Sequence, residues 1–97
     1  MKSTEIIQLF AKNYSVWLKQ SQGDRLYYQK TLTANQTKWF LDTYNRERNL
    51  SVYQTDVSGE IEINSKPCYY HLIRFRDGMS IFRVEPLENQ DFAPIAE

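Results

Sequence analysis

Residues 68–85 carry the clearest structural signal in the chain and read CYYHLIRFRDGMSIFRVE. Alternating apolar and polar side chains flank Asp77-Gly78, a dipeptide typical of a two-residue type I′ hairpin loop. Such a loop places Ile73 opposite Phe82, because loop length determines which residues pair across a hairpin. The stretch therefore predicts an antiparallel hairpin in which the odd-numbered residues of the first strand face the protein interior.

Two further strands are predicted before this hairpin, at residues 50–56 and 60–64. Turn-forming residues separate them, and we expect three-residue loops at 57–59 and 65–67. The strand registers set by the three expected loops all place apolar residues on the same inner face of the sheet. A shift of one residue in any register would remove this consistency. This inner face would consist of Tyr53, Ile61, Ile63, Tyr69, His71, Ile73, Phe75, Phe82 and Val84.

Two helices are predicted to cover the inner face. Residues 3–21 place apolar side chains at helical spacing, and residues 33–48 form a second helix. Thr33 and Gln36 at the start of the second helix fit a capping box. Trp39 lies about 100–140° away from the inner stripe of that helix. It is either an exposed binding residue or packed at the edge of the core.

A strand at residues 25–32 separates the two helices in the sequence. The predicted fold is α+β, a two-layer sandwich with two helices on one face of a mainly antiparallel sheet of four to five strands. Its element order is α-β-α-β-β-β-β. Residues 1–86 are expected to form one domain, followed at 87–97 by an acidic, proline-containing tail that is expected to be mobile and could cover basic residues of the sheet.

Composition narrows the possible functions of the chain. Its 97 residues include 12 basic and 12 acidic side chains, so the formal net charge is zero. A duplex-DNA binder is usually strongly basic, and this balance argues against that class. A single cysteine excludes an internal disulfide, and we find no signal peptide or membrane span. We therefore expect a cytoplasmic protein that does not bind membranes.

Residues capable of catalysis or metal binding are few. The only histidine, His71, and the only cysteine, Cys68, are three positions apart on a predicted strand, so their side chains would leave opposite faces. A structural zinc site needs four ligands, and phosphate-binding loops need clustered glycines; the chain offers neither. We read the acidic residues at 56, 60 and 62 as a charged sheet face. No enzyme activity, cofactor or metal is predicted.

The outer face of the predicted sheet is unusual because arginines alternate there with aromatic and aliphatic side chains. Arginine, tyrosine and methionine are enriched in protein interfaces, and tryptophan is a frequent binding hot spot. The predicted partner-binding residues are Tyr70, Leu72, Arg74, Arg76, Met79, Ile81 and Arg83 on the outer face, together with Trp39 on the second helix.

The sequence therefore predicts a small non-enzymatic protein-binding module, an inhibitor or accessory protein of bacterial, phage or mobile-element type. Its partner would be another protein or a second copy, as in a homodimer. The alternative is single-stranded nucleic-acid binding through Tyr70 and the Arg74, Arg76 and Arg83 cluster. The neutral net charge makes the protein partner the favoured prediction.

Overall fold

One antiparallel sheet and two α-helices make up the fold in the computed structural model, which describes residues 3–23, 25–48 and 52–87. The helices are α1 (Ser3–Phe10) and α2 (Ala34–Arg48), with a short 3-10 helix at Tyr14–Val16. The strands are β1 (Leu18–Gln22), β2 (Arg25–Leu32), β3 (Ser58–Ile63), β4 (Lys66–Arg74) and β5 (Ser80–Pro86). They lie in the order β1-β2-β5-β4-β3, which confirms the predicted α+β class.

The first helix is shorter than predicted, because the chain leaves helical geometry after Phe10. Trp17 has extended backbone angles (φ −74°, ψ 169°), and the residues after it form β1. β1 pairs along its whole length with β2, an interaction that a continued helix could not make. Gly23, with φ +62°, supplies the left-handed turn between these strands. The helix prediction for residues 3–21 is therefore wrong beyond Phe10.

The second helix follows the prediction closely. The Gln36 backbone N–H donates to Thr33 Oγ1 (3.1 Å), and the Thr33 N–H donates to Gln36 Oε1 (2.9 Å), which completes the capping box. The Thr37 and Ser80 hydroxyl oxygens are 2.7 Å apart in a buried hydrogen bond that joins α2 to β5. The buried stripe of α2 comprises Thr37, Phe40, Leu41, Tyr44 and Asn45.

Phe82 on β5 lies at the centre of an aromatic core between the helices and the sheet. Its side chain is fully buried, and its ring centroid is 5.0 Å from that of Phe10 and 5.3 Å from that of Phe40. Trp17 lies at 6.0 Å, and the Tyr70 ring stacks in parallel at 6.2 Å. These rings join α1, α2 and the middle of the sheet into one core.

The hairpin between β4 and β5 has a longer loop than predicted. The Phe75 N–H donates to the Met79 carbonyl (2.9 Å), and the Gly78 N–H donates to the Phe75 carbonyl (3.1 Å). These bonds close a three-residue loop, Arg76–Gly78, in which Gly78 takes φ +91°. Asp77 supports the loop by accepting the Met79 N–H (3.0 Å). The predicted two-residue loop is therefore wrong by one residue.

This difference of one residue exchanges the two faces of β4. Leu72 lies opposite Phe82 and Tyr70 lies opposite Val84, so the even-numbered residues of β4 face the helices. The prediction that its odd-numbered residues face inward is wrong, because side chains alternate with a period of two. The residues predicted to face inward that instead lie outside the core are Tyr53, Tyr69, His71, Ile73 and Phe75.

The hairpin between β3 and β4 contains the two-residue loop. Asn64 and Ser65 both have positive φ angles (53° and 67°), and Ile63 lies opposite Lys66. Asparagine tolerates this backbone conformation better than most residues do. The Asn64 side-chain amide donates to the carbonyl of Lys12 (2.7 Å), a residue just beyond the end of α1. The predicted three-residue loop at 65–67 is therefore wrong, although Ile63 faces the core as expected.

The segment before β3 is not the predicted strand, since the described residues 52–57 have no strand structure. The Asn45 side-chain amide on α2 holds it by bonding both the N–H (2.7 Å) and the carbonyl (2.8 Å) of Gln54. Val57 is fully buried, and its carbonyl accepts the Leu72 N–H (2.9 Å). The tail predicted at 87–97 lies outside the described residues beyond position 87.

Candidate functional site

Two residues of the predicted binding surface belong to the core instead. Tyr70 is 6% exposed and Leu72 is 3% exposed, and both face the helices. They were expected on the outer face, and the register of the β4–β5 hairpin is the reason for the error. Tyr70 therefore has no open ring face on which a base could stack.

The arginines of the predicted cluster are also separated. Arg83 lies on the outer face of the sheet, opposite His71. Arg74 lies opposite the buried Ser80, on the side of the sheet that carries the helices, and Arg76 lies in the hairpin loop. Of the remaining predicted residues, Ile81 is half-buried on the outer face and Met79 is half-buried at the loop. The predicted basic patch is not formed.

The Tyr70 hydroxyl is buried beneath α2, where it contacts polar side chains of that helix. It hydrogen-bonds with Tyr44, whose oxygen also accepts a bond from Arg48 Nη1 (2.7 Å). Burial and the contact with Tyr44 raise the pKa of Tyr70 to about 12. Gly59 makes room for this hydroxyl, because a Cβ at that position would lie 3.2 Å from the Tyr70 oxygen.

The raised pKa of Tyr70 predicts a loss of stability at high pH. A phenol with a pKa of about 12 in the folded state and roughly 10 when unfolded stabilises the fold fully below pH 10. That contribution is lost as the pH rises from 10 through 12. In Tyr70→Phe we expect a smaller decline of the unfolding free energy between pH 9 and 12, measured by urea titration. An equal decline in both proteins would contradict the prediction.

Trp39 lies beside an open groove between α1 and α2. The groove has a volume of about 510 Å³ and is lined by Ile6, Leu9, Phe10, Trp39, Thr43, Arg46 and Glu47. Trp39 is 60% exposed and Leu9 is 59% exposed, whereas Ile6 beneath them is buried. We call this surface the Trp39 groove. The prediction that Trp39 lies off the inner stripe of α2 is confirmed.

Charged residues surround Trp39 on the surface of α2. Lys38 Nζ lies 2.8 Å from Asp42 Oδ2, and the Tyr53 hydroxyl donates to Asp42 Oδ1 (2.6 Å). The hydrogen bonds from Lys38 and Tyr53 lower the pKa of Asp42. Arg46, one turn further along α2, is exposed at the edge of the groove. It therefore offers a positive charge beside the apolar walls.

The outer face of the sheet, opposite the helices, carries an ordered group of polar side chains. The Arg83 guanidinium lies 4.4 Å from the centre of the Tyr27 ring and donates from Nε (3.1 Å) and Nη2 (2.9 Å) to Gln29 Oε1. Arg25 forms two hydrogen bonds with the Glu85 carboxylate, at 2.5 and 2.6 Å. Glu85 is only 5% exposed. Around these lie Thr31, Glu60, Glu62, Tyr69, His71, Ile73 and Ile81.

His71 is half-exposed on the outer face and not in the core, where it was expected. Cys68 is buried on the other side of β4, so the expectation that these two side chains leave opposite faces is confirmed. The described part of the chain contains no group of three or more acidic, histidine and cysteine residues that could hold a metal ion. Among the same residues, no helix is both long and apolar enough to cross a membrane.

Sequence reasoning found Trp39 but missed the rest of its groove. The sequence pattern does not single out Leu9 or Arg46 as binding residues. Their proximity depends on how α1 crosses α2, which the sequence does not encode locally. The position of Arg83 and Ile81 on the outer face was predicted correctly, whereas the contacts of Arg83 with Tyr27 and Gln29 were missed.

Comparison with known proteins adds no assignment, since no family model, curated protein or solved structure matches this chain. The candidate sites are therefore identified by geometry alone. They are the Trp39 groove on the helical side and the outer face on the opposite side of the sheet.

Proposed function

We propose that the protein is a non-enzymatic binding module that receives an apolar segment of a protein partner in the Trp39 groove. The observation that carries this proposal is the exposure of Trp39 and Leu9, at 60% and 59%, on the two sides of one groove. Adjacent large apolar residues left open to water are typical of interaction sites. Tryptophan is also among the residues most often found as binding hot spots.

The form of the groove favours a helical partner segment. Its walls are two helices with apolar side chains, an arrangement that accepts the apolar face of an amphipathic helix. Arg46 and Glu47 at the edge favour a partner segment that carries both a carboxylate and a basic side chain, through charge complementarity. We therefore propose an amphipathic helix whose apolar anchors contact Leu9 and Trp39 and whose acidic residue meets Arg46.

The polar residues of the groove support binding rather than catalysis. They are Thr43, Arg46 and Glu47, and this set lacks a nucleophile paired with a histidine base. His71 lies on the other side of the sheet, and the Cys68 thiol is enclosed in the core. The side chains of His71 and Cys68 are therefore both separated from the Trp39 groove.

The nucleic-acid alternative relied on Tyr70 as a stacking platform. Tyr70 is buried against Phe82, and the arginines that were to accompany it lie on different parts of the molecule. Stacking needs an accessible ring face next to basic side chains. That alternative therefore has no support from the residues on which it was based.

Trp39→Ala is expected to weaken partner binding by at least ~30-fold, corresponding to about 2 kcal/mol for a hot-spot residue. Partners are first captured from a native lysate by the full chain carrying a photoreactive residue at Thr43, and the captured protein is then purified and titrated. The matched control is Phe75→Ala, since Phe75 is 47% exposed at the β4–β5 loop. Both variants should fold normally, because neither side chain belongs to the core.

Loss of binding in Trp39→Ala with unchanged binding in Phe75→Ala would support the groove. A photoreactive residue at Thr31, on the outer face, should not cross-link the same partner. If the purified partner bound Trp39→Ala as tightly as the unaltered chain, the groove would not be the site.

A further inference from the structure

The outer face has properties that fit burial against a second protein surface. Both helices lie on the opposite side of the sheet, and no other described element covers the outer face. Ile73 and Ile81 are cross-strand neighbours in its middle, and both remain partly open to water. Tyr69 nearby is 38% exposed. The apolar centre of a five-stranded sheet therefore faces solvent.

Four polar side chains of this face already have partners within the chain. Arg83 is held by Gln29 and Tyr27, and Glu85 is held by Arg25 in a two-bond ion pair. Burying a paired charge costs less than burying a charge that has no partner. Ordered side chains also lose less conformational entropy when a second surface covers them. Arg83, Gln29, Arg25 and Glu85 therefore keep their partners when a second surface covers the face.

We infer that two copies of this chain pack outer face against outer face about a twofold axis that runs parallel to β5. The net charge of the chain is zero, so two copies do not repel each other through overall charge. Closed twofold dimers are the commonest symmetric assemblies, and the same surface then serves both copies. This inference concerns a different surface from the Trp39 groove and does not depend on the proposed function.

Separation of like charges selects this axis. Gln22 on β1 lies opposite Arg25 on β2, at one edge of the sheet. Glu62 on β3 lies opposite Pro67 on β4, at the other edge. Both pairs lie near the end of β5. An axis parallel to β5, the middle strand, places β3 of one copy over β1 and β2 of the other. Glu62 then meets Gln22 and Arg25 of the other copy. An in-plane axis across the strands would instead bring the β3 glutamates of the two copies together.

The area of the face fits a weak dimer. Five strands about 4.8 Å apart span about 24 Å, and strands of five to nine residues are about 17–30 Å long. The projected area is therefore roughly 500–600 Å² per copy, compared with about 800 Å² in a standard interface. We therefore expect a weak, reversible dimer.

Sedimentation equilibrium of the full chain from 1 µM to 1 mM tests the inference, with a rise from one to two chain masses as the expected result. Ile81→Glu places a charge at the centre of the face and should weaken association at least ~30-fold. Asn35→Glu is the control, because Asn35 is exposed on α2, on the helical side of the sheet. Urea unfolding of each variant shows whether it has remained folded.

A charge exchange at the edge of the face tests the axis without altering the apolar centre. Glu62→Lys and Gln22→Glu should each weaken association about 5-fold, because each places like charges opposite one another. The double variant should restore most of the loss, since the lysine introduced on β3 of one copy then meets the glutamate introduced on β1 of the other. Restoration in the double variant would be specific to the proposed twofold arrangement.

Three results would overturn the inference. One is a single chain mass at 1 mM. Another is association that is as tight in Ile81→Glu and in Glu62→Lys, each measured separately, as in the unaltered chain. The third is association that is lost in Trp39→Ala and kept in Ile81→Glu, which would assign self-association to the Trp39 groove. Failure of the outer-face dimer leaves partner binding by the Trp39 groove intact, because the two surfaces are measured separately.

Discussion

Replacing Phe82 with alanine is expected to lower the free energy of unfolding by about 3–5 kcal/mol. Phe82 is fully buried, and its ring contacts aromatic rings from α1, α2 and β4. Alanine would remove these contacts and leave a cavity that rings from three separate elements cannot easily fill. Since a small domain is stable by roughly 5–15 kcal/mol, this loss is a large part of the total.

Urea unfolding followed by tryptophan fluorescence measures the effect of Phe82→Ala. Phe82→Leu should cost less, because leucine retains most of the buried volume. Phe75→Ala is the matched control, since the same atoms are removed from a ring that is 47% exposed. A loss below about 1 kcal/mol in Phe82→Ala would mean that this ring is not at the centre of the core.

The second large effect is expected at the loop that sets the register of β4 and β5. Gly78 has φ +91°, and a Cβ there would lie 3.2 Å from the Cβ of Ala34 at the start of α2. We expect Gly78→Ala to cost more than about 1–2 kcal/mol, the usual penalty for a left-handed L-residue, because the contact with Ala34 adds to the backbone term. The change would strain both the hairpin and its packing against the helix.

Gly23→Ala separates the two contributions at Gly78. Gly23 also has a positive φ (+62°), but a Cβ there meets no atom within 4 Å. It should therefore show the backbone cost alone, in the same urea titration. Equal losses at the two glycines would show that Ala34 does not restrict the loop. NOEs between the α-protons of Leu72 and Phe82 would independently test the register.

The two proposed surfaces are compatible within one assembly. The Trp39 groove lies on the helical side, and pairing through the outer face would leave the helices of both copies exposed. A dimer would then present two grooves on its opposite sides. Such an arrangement would increase the apparent affinity for a partner that carries two binding segments, provided that their spacing allows both to bind.

Several features of this protein follow from local sequence alone. Thr33 and Gln36 mark the start of α2, because a capping box uses only groups three residues apart. The position of Trp39 outside the buried stripe follows from helical periodicity. Alternation and composition also predict the α+β class and the strand at residues 25–32.

Tertiary contacts determined the identity of the exposed surfaces. Tyr70 and Leu72 became core residues because the loop at residues 76–78 holds three residues and not two. The dipeptide Asp77-Gly78 suits both loop types, and the sequence pattern does not show that Ala34 leaves no room for a side chain at position 78. Since strand side chains alternate with a period of two, the one additional loop residue decides which side chains of β4, the odd-numbered or the even-numbered ones, face water.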